Sequence, residues 1–123
     1  MASVNDLSIL LAEELGYYSN EVAEAVKQEC KNVSNEMTKN IKNDSPKNKG
    51  KYAKGWRSKV EYEDKNNIRI KTYNVTDYQL THLLEYGHVK QNGGRVEGKP
   101  HIKPNEEKAK QDLLERIEKV VKG

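Results

Sequence analysis

Val22, Val26, Cys30, Val33, Met37 and Ile41 recur at spacings of four, four, three, four and four. This run constrains the fold more than any other feature, because only an α-helix places such residues on one stripe and leaves the intervening Lys, Asn and Glu on its other faces. The spacing predicts a long helix over residues 20–43, capped at its start by Ser19 or Asn20. Asn43-Asp44-Ser45-Pro46 ends it, since the residue before a proline is pushed out of the α region. Upstream, Leu7, Leu10, Leu11 and Leu15 suggest a shorter helical segment closed by Gly16.

Downstream the period changes. Residues 46–55, PKNKGKYAKG, have no periodicity and read as a solvated loop. Trp56, Val60 and Tyr62 then share one parity, DKNN follows as a turn, and Ile68 and Ile70 repeat the alternation. Two alternating runs around a short polar turn predict a β-hairpin. Residues 77–87 look like a short helix closed by Gly87, with Leu80, Leu83 and Leu84 burying together. A glycine-rich loop follows, in which RVEG can pair back on GHVK. The last segment starts a helix at Pro104 or Asn105, with Glu106 and Glu107 near its positive end and lysines near its negative end. Ala109, Leu113, Ile117 and Val120 or Val121 form its buried stripe. The expected fold is one α+β domain over residues 1–123, a long N-terminal helix and a C-terminal helix packed on a small antiparallel sheet.

The core of such a domain is thin. About a third of the chain is hydrophobic, with no Phe and one Trp. A 123-residue domain of this kind is marginal on its own, and a partner subunit is a common remedy. The net charge of +3 is too weak to imply a nucleic-acid binder. Its distribution says more: residues 1–26 carry Asp6, Glu13, Glu14, Glu21 and Glu24 and no Lys or Arg, whereas residues 45–60 carry Lys47, Lys49, Lys51, Lys54, Arg57 and Lys59 and no acid. Opposite poles suit head-to-tail association, because charge complementarity fixes register.

Cys30 is the one cysteine, so no intrachain disulfide forms. No apolar run approaches a membrane span, and the N-terminal stretch has acids where a secretory signal has a basic region, which predicts a soluble cytoplasmic product. The histidines are His82, His88 and His101. His82 and His88 are six apart, not the three or four that brings two ligands together on a helix, and no zinc motif accompanies them. They read as surface or loop histidines, and no metal or cofactor is expected. Cys30 lies on the helix stripe and reads as core. Asp77 and Glu85 lie near the histidines, but no nucleophile motif and no carboxylate cluster for Mg²⁺ goes with them. The segment 47–59 mixes cations with Tyr52 and Trp56, a combination that can grip phosphates and stack bases, although Trp56 reads better as core.

Two stretches carry a family resemblance: SPKNKGKYAKGW at 45–56 and LEYGHVKQNGGRVEGKPHIKP at 84–104, followed by the amphipathic C-terminal helix. Ser45-Pro46 with Gly50 and Tyr52, then Glu85-Tyr86-Gly87-His88, then Pro100-His101-Ile102-Lys103-Pro104 follow the order and spacing of the siphophage tail-component family typified by gene product ten of phage HK-ninety-seven. The resemblance runs from about residue 20 onward, with Lys49 where a Thr is usual and His101 where an aromatic is usual. It implies a structural virion protein without catalysis: a neck, head–tail connector, tail-completion or tail-terminator subunit, often hexameric, that forms a ring at the head–tail junction or caps the tail tube, binding the tail tube on one face and the connector on the other while DNA passes through the ring. Such a protein is assembled in the host cytoplasm and ends in the virion. On this view Glu85, Tyr86, Gly87, His88, Gly93, Gly94, Arg95, Pro100 and His101 shape an assembly interface, and Lys47, Lys49, Lys51 and Lys54 face DNA or a partner. The basic loop near 45–55 and the glycine-rich loop near 87–103 are expected to be mobile in the free subunit and to order on assembly. The competing reading is a small non-enzymatic nucleic-acid-binding protein that uses the 47–59 loop.

Overall fold

The computed structural model describes residues 8–46, 50–76 and 79–123. Its centre is α1, Asn20–Asp44, which starts at the expected place and ends one residue later: the Ser19 side chain accepts the Val22 N–H and caps the helix. The helix buries Val26, Cys30, Val33, Met37 and Ile41, the stripe read from the sequence. This face packs against a three-stranded antiparallel sheet of β1 (Ser8–Ala12), β2 (Trp56–Glu63) and β3 (Ile68–Asn74), in the order β1-β3-β2. Along β3 the residues Ile68, Ile70, Thr72 and Asn74 point to α1 and are buried, while the alternate residues are half-exposed. On the far side of α1 lies α4, Lys103–Lys122, which buries Ala109 and Leu113 against α1. The architecture is α+β, with a long N-terminal helix, a C-terminal helix and small antiparallel sheets.

The segment expected as a short N-terminal helix is a strand and a single 3-10 turn, Leu15–Tyr17. Leu10 and Ala12 are buried and Leu11 between them is exposed, so the local period is two, and the free edge of β3 supplies the partners through Leu10↔Ile70 and Ala12↔Ile68. Leu7 lies outside the described residues. Residues 51–54 are not loop either: Lys51–Lys54 form a one-turn helix, α2, that buries Tyr52 and Ala53. Lys47 and Lys49 lie outside the described residues.

The hairpin is where the alternation predicts it, with one difference. Trp56 is fully buried, but the register slips by one residue between Val60 and Tyr62, and both of these are exposed. Val60 precedes the bulge, opposite buried Ile70, and is already exposed, so only the start of β2 joins the core. The hairpin turn is tied back to α1 by Lys27, a buried lysine whose ammonium donates to the Asp64 carbonyl at 2.9 Å and pairs with Glu24 at 3.0 Å and Glu63 at 3.2 Å. No helix among the described residues is long and apolar enough to cross a membrane.

Candidate functional site

The helix α3, Gln79–Tyr86, ends at Gly87, where the chain turns with φ of 81° into β4, Gly87–Val89. β4 pairs with β5, Arg95–Glu97, through Gly87↔Glu97, His88↔Val96 and Val89↔Arg95, the pairing of RVEG on GHVK read from the sequence. At the base of this hairpin two glycines are needed because backbone meets backbone. A Cβ on Gly98 would lie 2.5 Å from the Glu85 carbonyl oxygen and from the Gly87 nitrogen, and one on Gly87 would strike the Val96 carbonyl. At the tip, Gly93 and Gly94 have φ of 91° and 79° and open space around them, so there only the backbone angle asks for glycine.

Beneath the hairpin, Glu85 links α3 to α4. α4 opens on Ile102, which has no side chain able to cap it. Glu85 supplies the cap from a distance. Its Oε1 accepts the N–H of His101 at 2.7 Å and of Ile102 at 3.0 Å, and its Oε2 accepts the N–H of Lys103 at 3.1 Å. Those donors are the ones a helix start leaves without intrahelical partners, and a negative charge there also suits the helix dipole. Glu85 is only 3 % exposed.

His101 is wholly buried, so the expectation of a surface histidine is corrected. Its Nδ1 lies 2.7 Å from the Lys99 carbonyl and 3.0 Å from Glu85 Oε1, two groups that only accept, so Nδ1 carries a proton. Its Nε2 sits 2.8 Å from the Tyr52 hydroxyl, which also lies 3.4 Å from the Thr81 hydroxyl. Burial pushes the Tyr52 phenol up to about 12, so it stays a neutral hydrogen-bonding group. The rings of Tyr52, Trp56 and His101 meet edge to face, with centroids 5.8, 5.6 and 6.2 Å apart for the pairs Tyr52–Trp56, Tyr52–His101 and Trp56–His101. Trp56 Nε1 donates to Ser45 Oγ at 3.0 Å, and Ser45 Oγ donates to the Ile41 carbonyl at 2.5 Å. Asn105 Nδ2 donates to the His101 carbonyl at 2.8 Å and to Asp44 at 2.9 Å. The end of α1, α2, the start of β2, α3 and the start of α4 are thus bolted together through one buried polar and aromatic cluster.

This cluster is built for position. Its hydrogen-bonding atoms face one another or the backbone, and among the described residues no group of His, Cys, Asp and Glu could hold a metal ion. The chain's one thiol, Cys30, is buried, and burial pushes it up to about 11, away from the reactive thiolate.

Of the residues assigned to the glycine-rich loop, Glu85 and His101 are interior, and the hairpin they support carries the rest outward. Tyr86, Gly93, Gly94, Arg95 and Pro100 are exposed, and Gly87 and His88 are half-buried. Val89 is 72 % exposed and Val96 also shows to solvent. An Arg95 guanidinium nitrogen donates to the Tyr86 carbonyl across the hairpin. Lys51 and Lys54 are exposed on α2. The side chains of His82, Leu80 and Leu83, like Asp77, lie outside the described residues. Sequence reasoning missed the joining of Tyr52, Trp56 and Asn105 to His101. One signal was present: Ile102 cannot cap the helix that Pro104 announces, so its cap had to come from elsewhere.

The family described as "Bacteriophage HK97-gp10, putative tail-component" matches residues 11–87, from β1 through the first residue of β4. This is more than half of the chain and includes the Ser45-Pro46 and Glu85-Tyr86-Gly87 motifs, while Pro100–Pro104 falls beyond the matched segment. No curated protein and no solved structure shows a significant match. The sequence match and the order of motifs agree, and the chain belongs to the HK97-gp10-like family of bacteriophage tail components.

Proposed function

We propose that this chain is a ring-forming subunit of the phage head–tail junction, a neck or tail-completion protein that joins the tail tube to the connector. The ring is expected to be a hexamer of identical copies, assembled in the host cytoplasm and carried in the virion, with packaged DNA passing through its centre. No catalytic step belongs to this reading. One observation carries it. The β4–β5 hairpin is presented almost entirely to solvent, apolar side chains included, and a buried network fixes its base. A two-stranded hairpin is barely stable by itself in water. Holding one rigidly, with Val89, Val96 and Tyr86 outward, is what a surface needs in order to meet another protein. Glu85 and His101 serve the interface from within, by setting the hairpin's angle.

The test is binding of the purified chain to tail tubes. Val89→Asp with Val96→Asp should leave the far-UV circular dichroism unchanged and abolish tube binding. Tube binding equal to that of the wild type would refute this use of the hairpin. Amide exchange should show the hairpin more protected in the particle than in the free subunit.

A further inference from the structure

The proposed assembly leaves open which surfaces of neighbouring copies meet, and the two ends of α1 answer that question; this inference rests on the assembly reading and makes it specific. α1 has 25 residues, which sets its ends about 37 Å apart. At its N-terminal end, the 3-10 turn Leu15–Tyr17 holds Tyr17 out in solvent, 87 % exposed, beside Glu13, Glu14 and Glu21. Glu14 is the one non-glycine residue with positive φ, 59°, among the described residues, a conformation a non-glycine side chain rarely adopts. Glu13, Glu14 and Glu21 are exposed. At the other end of α1, Lys42, Gly50, Ala53, Lys54 and Arg57 line an open trough of about 570 Å³. Past Lys54 and Arg57 it continues into a second hollow of about 400 Å³ that includes Val75, itself half in solvent. Arg57 Nη1 is held in place by the carbonyls of Lys54 at 2.6 Å and Trp56 at 2.9 Å.

The geometry points to a head-to-tail contact in which Tyr17 of one copy enters the Lys42–Arg57 trough of the next, with the flanking glutamates on the trough's cations. The two surfaces complement each other in three ways. A protruding aromatic on a tight turn meets a concave surface large enough to take it. The glutamates meet lysines and an arginine, and the tyrosine ring can stack beneath Lys54 or Arg57. Lastly, the surfaces sit at opposite ends of one rigid helix, so a subunit cannot satisfy itself and each contact leaves a free knob and a free trough. Such a heterologous contact is the kind that propagates into rings.

Charge reversal tests it in solution. Glu13→Lys with Glu21→Lys reverses the knob, and Lys54→Glu with Arg57→Glu reverses the trough. Sedimentation velocity and native mass spectrometry read the assemblies, and circular dichroism checks the fold. Each reversed variant should associate at least a hundredfold more weakly than the wild type. Mixed one to one, the two should assemble again as an alternating array, because each reversed knob meets a reversed trough and each native knob a native trough. The chain carrying all four changes should assemble again. Assembly of either reversed variant at wild-type concentrations would overturn the contact, and so would a mixture that does not assemble. So would a trough variant that assembles normally while losing salt-dependent binding to duplex DNA, which would assign the trough to nucleic acid. A wild-type chain that stays monomeric at all concentrations would overturn docking between copies, whereas the role at the tail would still be decided separately by tube binding.

Discussion

Removing the Glu85 carboxylate should cost this domain a large share of its stability. In Glu85→Ala, the N–H groups of His101 and Ile102 lose their acceptor in buried positions, while that of Lys103 can turn to water. A buried donor left without a partner costs about 1–3 kcal/mol, and loss of a helix cap typically costs about 1 kcal/mol. Since these overlap, the expected loss is about 4 kcal/mol, out of a total of about 5–15 kcal/mol for a domain. In a chain of this size that lowers the melting temperature by roughly 15 °C. Glu85→Gln keeps one acceptor oxygen without the charge and should cost about half as much, about 2 kcal/mol. Urea unfolding at one fixed protein concentration measures both, followed by far-UV circular dichroism and by the fluorescence of Trp56, which sits in the same cluster and is the chain's single tryptophan. A Glu85→Ala variant within about 1 kcal/mol of the wild type would refute the capping argument.

The remaining expectations concern other parts of the fold. Cys30, buried and held up near 11, should resist aromatic disulfide reagents in the native protein at pH 8 and react only as the chain unfolds. Fast stoichiometric labelling without unfolding would contradict that burial. Gly98→Ala should disrupt the hairpin base and raise amide exchange through residues 85–99, because its Cβ meets backbone at 2.5 Å, whereas Gly93→Ala meets nothing and should cost only about 1 kcal/mol for its backbone angle. Equal effects of the two would refute the close-approach argument. Asp64 is held down to about 2, below the ordinary 3.8, by the Tyr62 hydroxyl first, then the Asn67 side chain and the Asn66 N–H. Its folded value is below its unfolded one, so its contribution is complete above about pH 5 and fades as pH falls through 3.8 towards 2. Tyr62→Phe should therefore lessen the loss of stability between pH 5 and pH 3, measured by urea titration, and an unchanged slope would show that the pair does not matter.

The sequence was most informative where contacts are local. The stripe from Val22 to Ile41 needs only helical geometry, and the hairpin of β2 and β3 needs only alternation and a polar turn, so both could be read off directly. Leu10 and Leu11 could not. Their spacing suits a helix as well as Leu10 and Ala12 suit a strand, and the decision rests with β3, whose Ile70 stands opposite Leu10 some sixty positions later. Tyr52 was hidden for the same reason. Among lysines and glycines it looks like loop, and what draws it inside is His101, 49 positions away. Glu85 and His101 stand in the motifs that carry the family resemblance, and their residue types and neighbourhood point to an outer, interface-forming surface. Their meaning became clear only with α4 in place, since a carboxylate that caps a helix 16 to 18 positions downstream leaves no mark in its own neighbourhood.

The proposed head-to-tail contact and the buried cluster bear on each other. Charges at two ends of a helix choose which surfaces meet, but they do not choose the angle between successive copies, and a repeated contact closes into a ring only when that angle is constant and correct. Near the trough, the angle depends on how firmly its surroundings are held. There Tyr52 of α2 rests on His101, Asn105 rests on Asp44 at the end of α1, and Glu85 fixes His101. The hairpin and the trough are therefore parts of one stiff end of the subunit. Stiffness, more than affinity, should then be what the cluster contributes to assembly. Glu85→Gln provides the test, because it should loosen this end while leaving Tyr17, the glutamates and the trough cations untouched. At concentrations where the variant is folded, it should associate within about threefold of the wild type, under 1 kcal/mol, yet native mass spectrometry should show a broader range of copy numbers and open chains in place of one closed form. A single sharp ring identical to the wild type's would show that the closure angle is set elsewhere, with the orientation of Tyr17 on its turn as the next place to look.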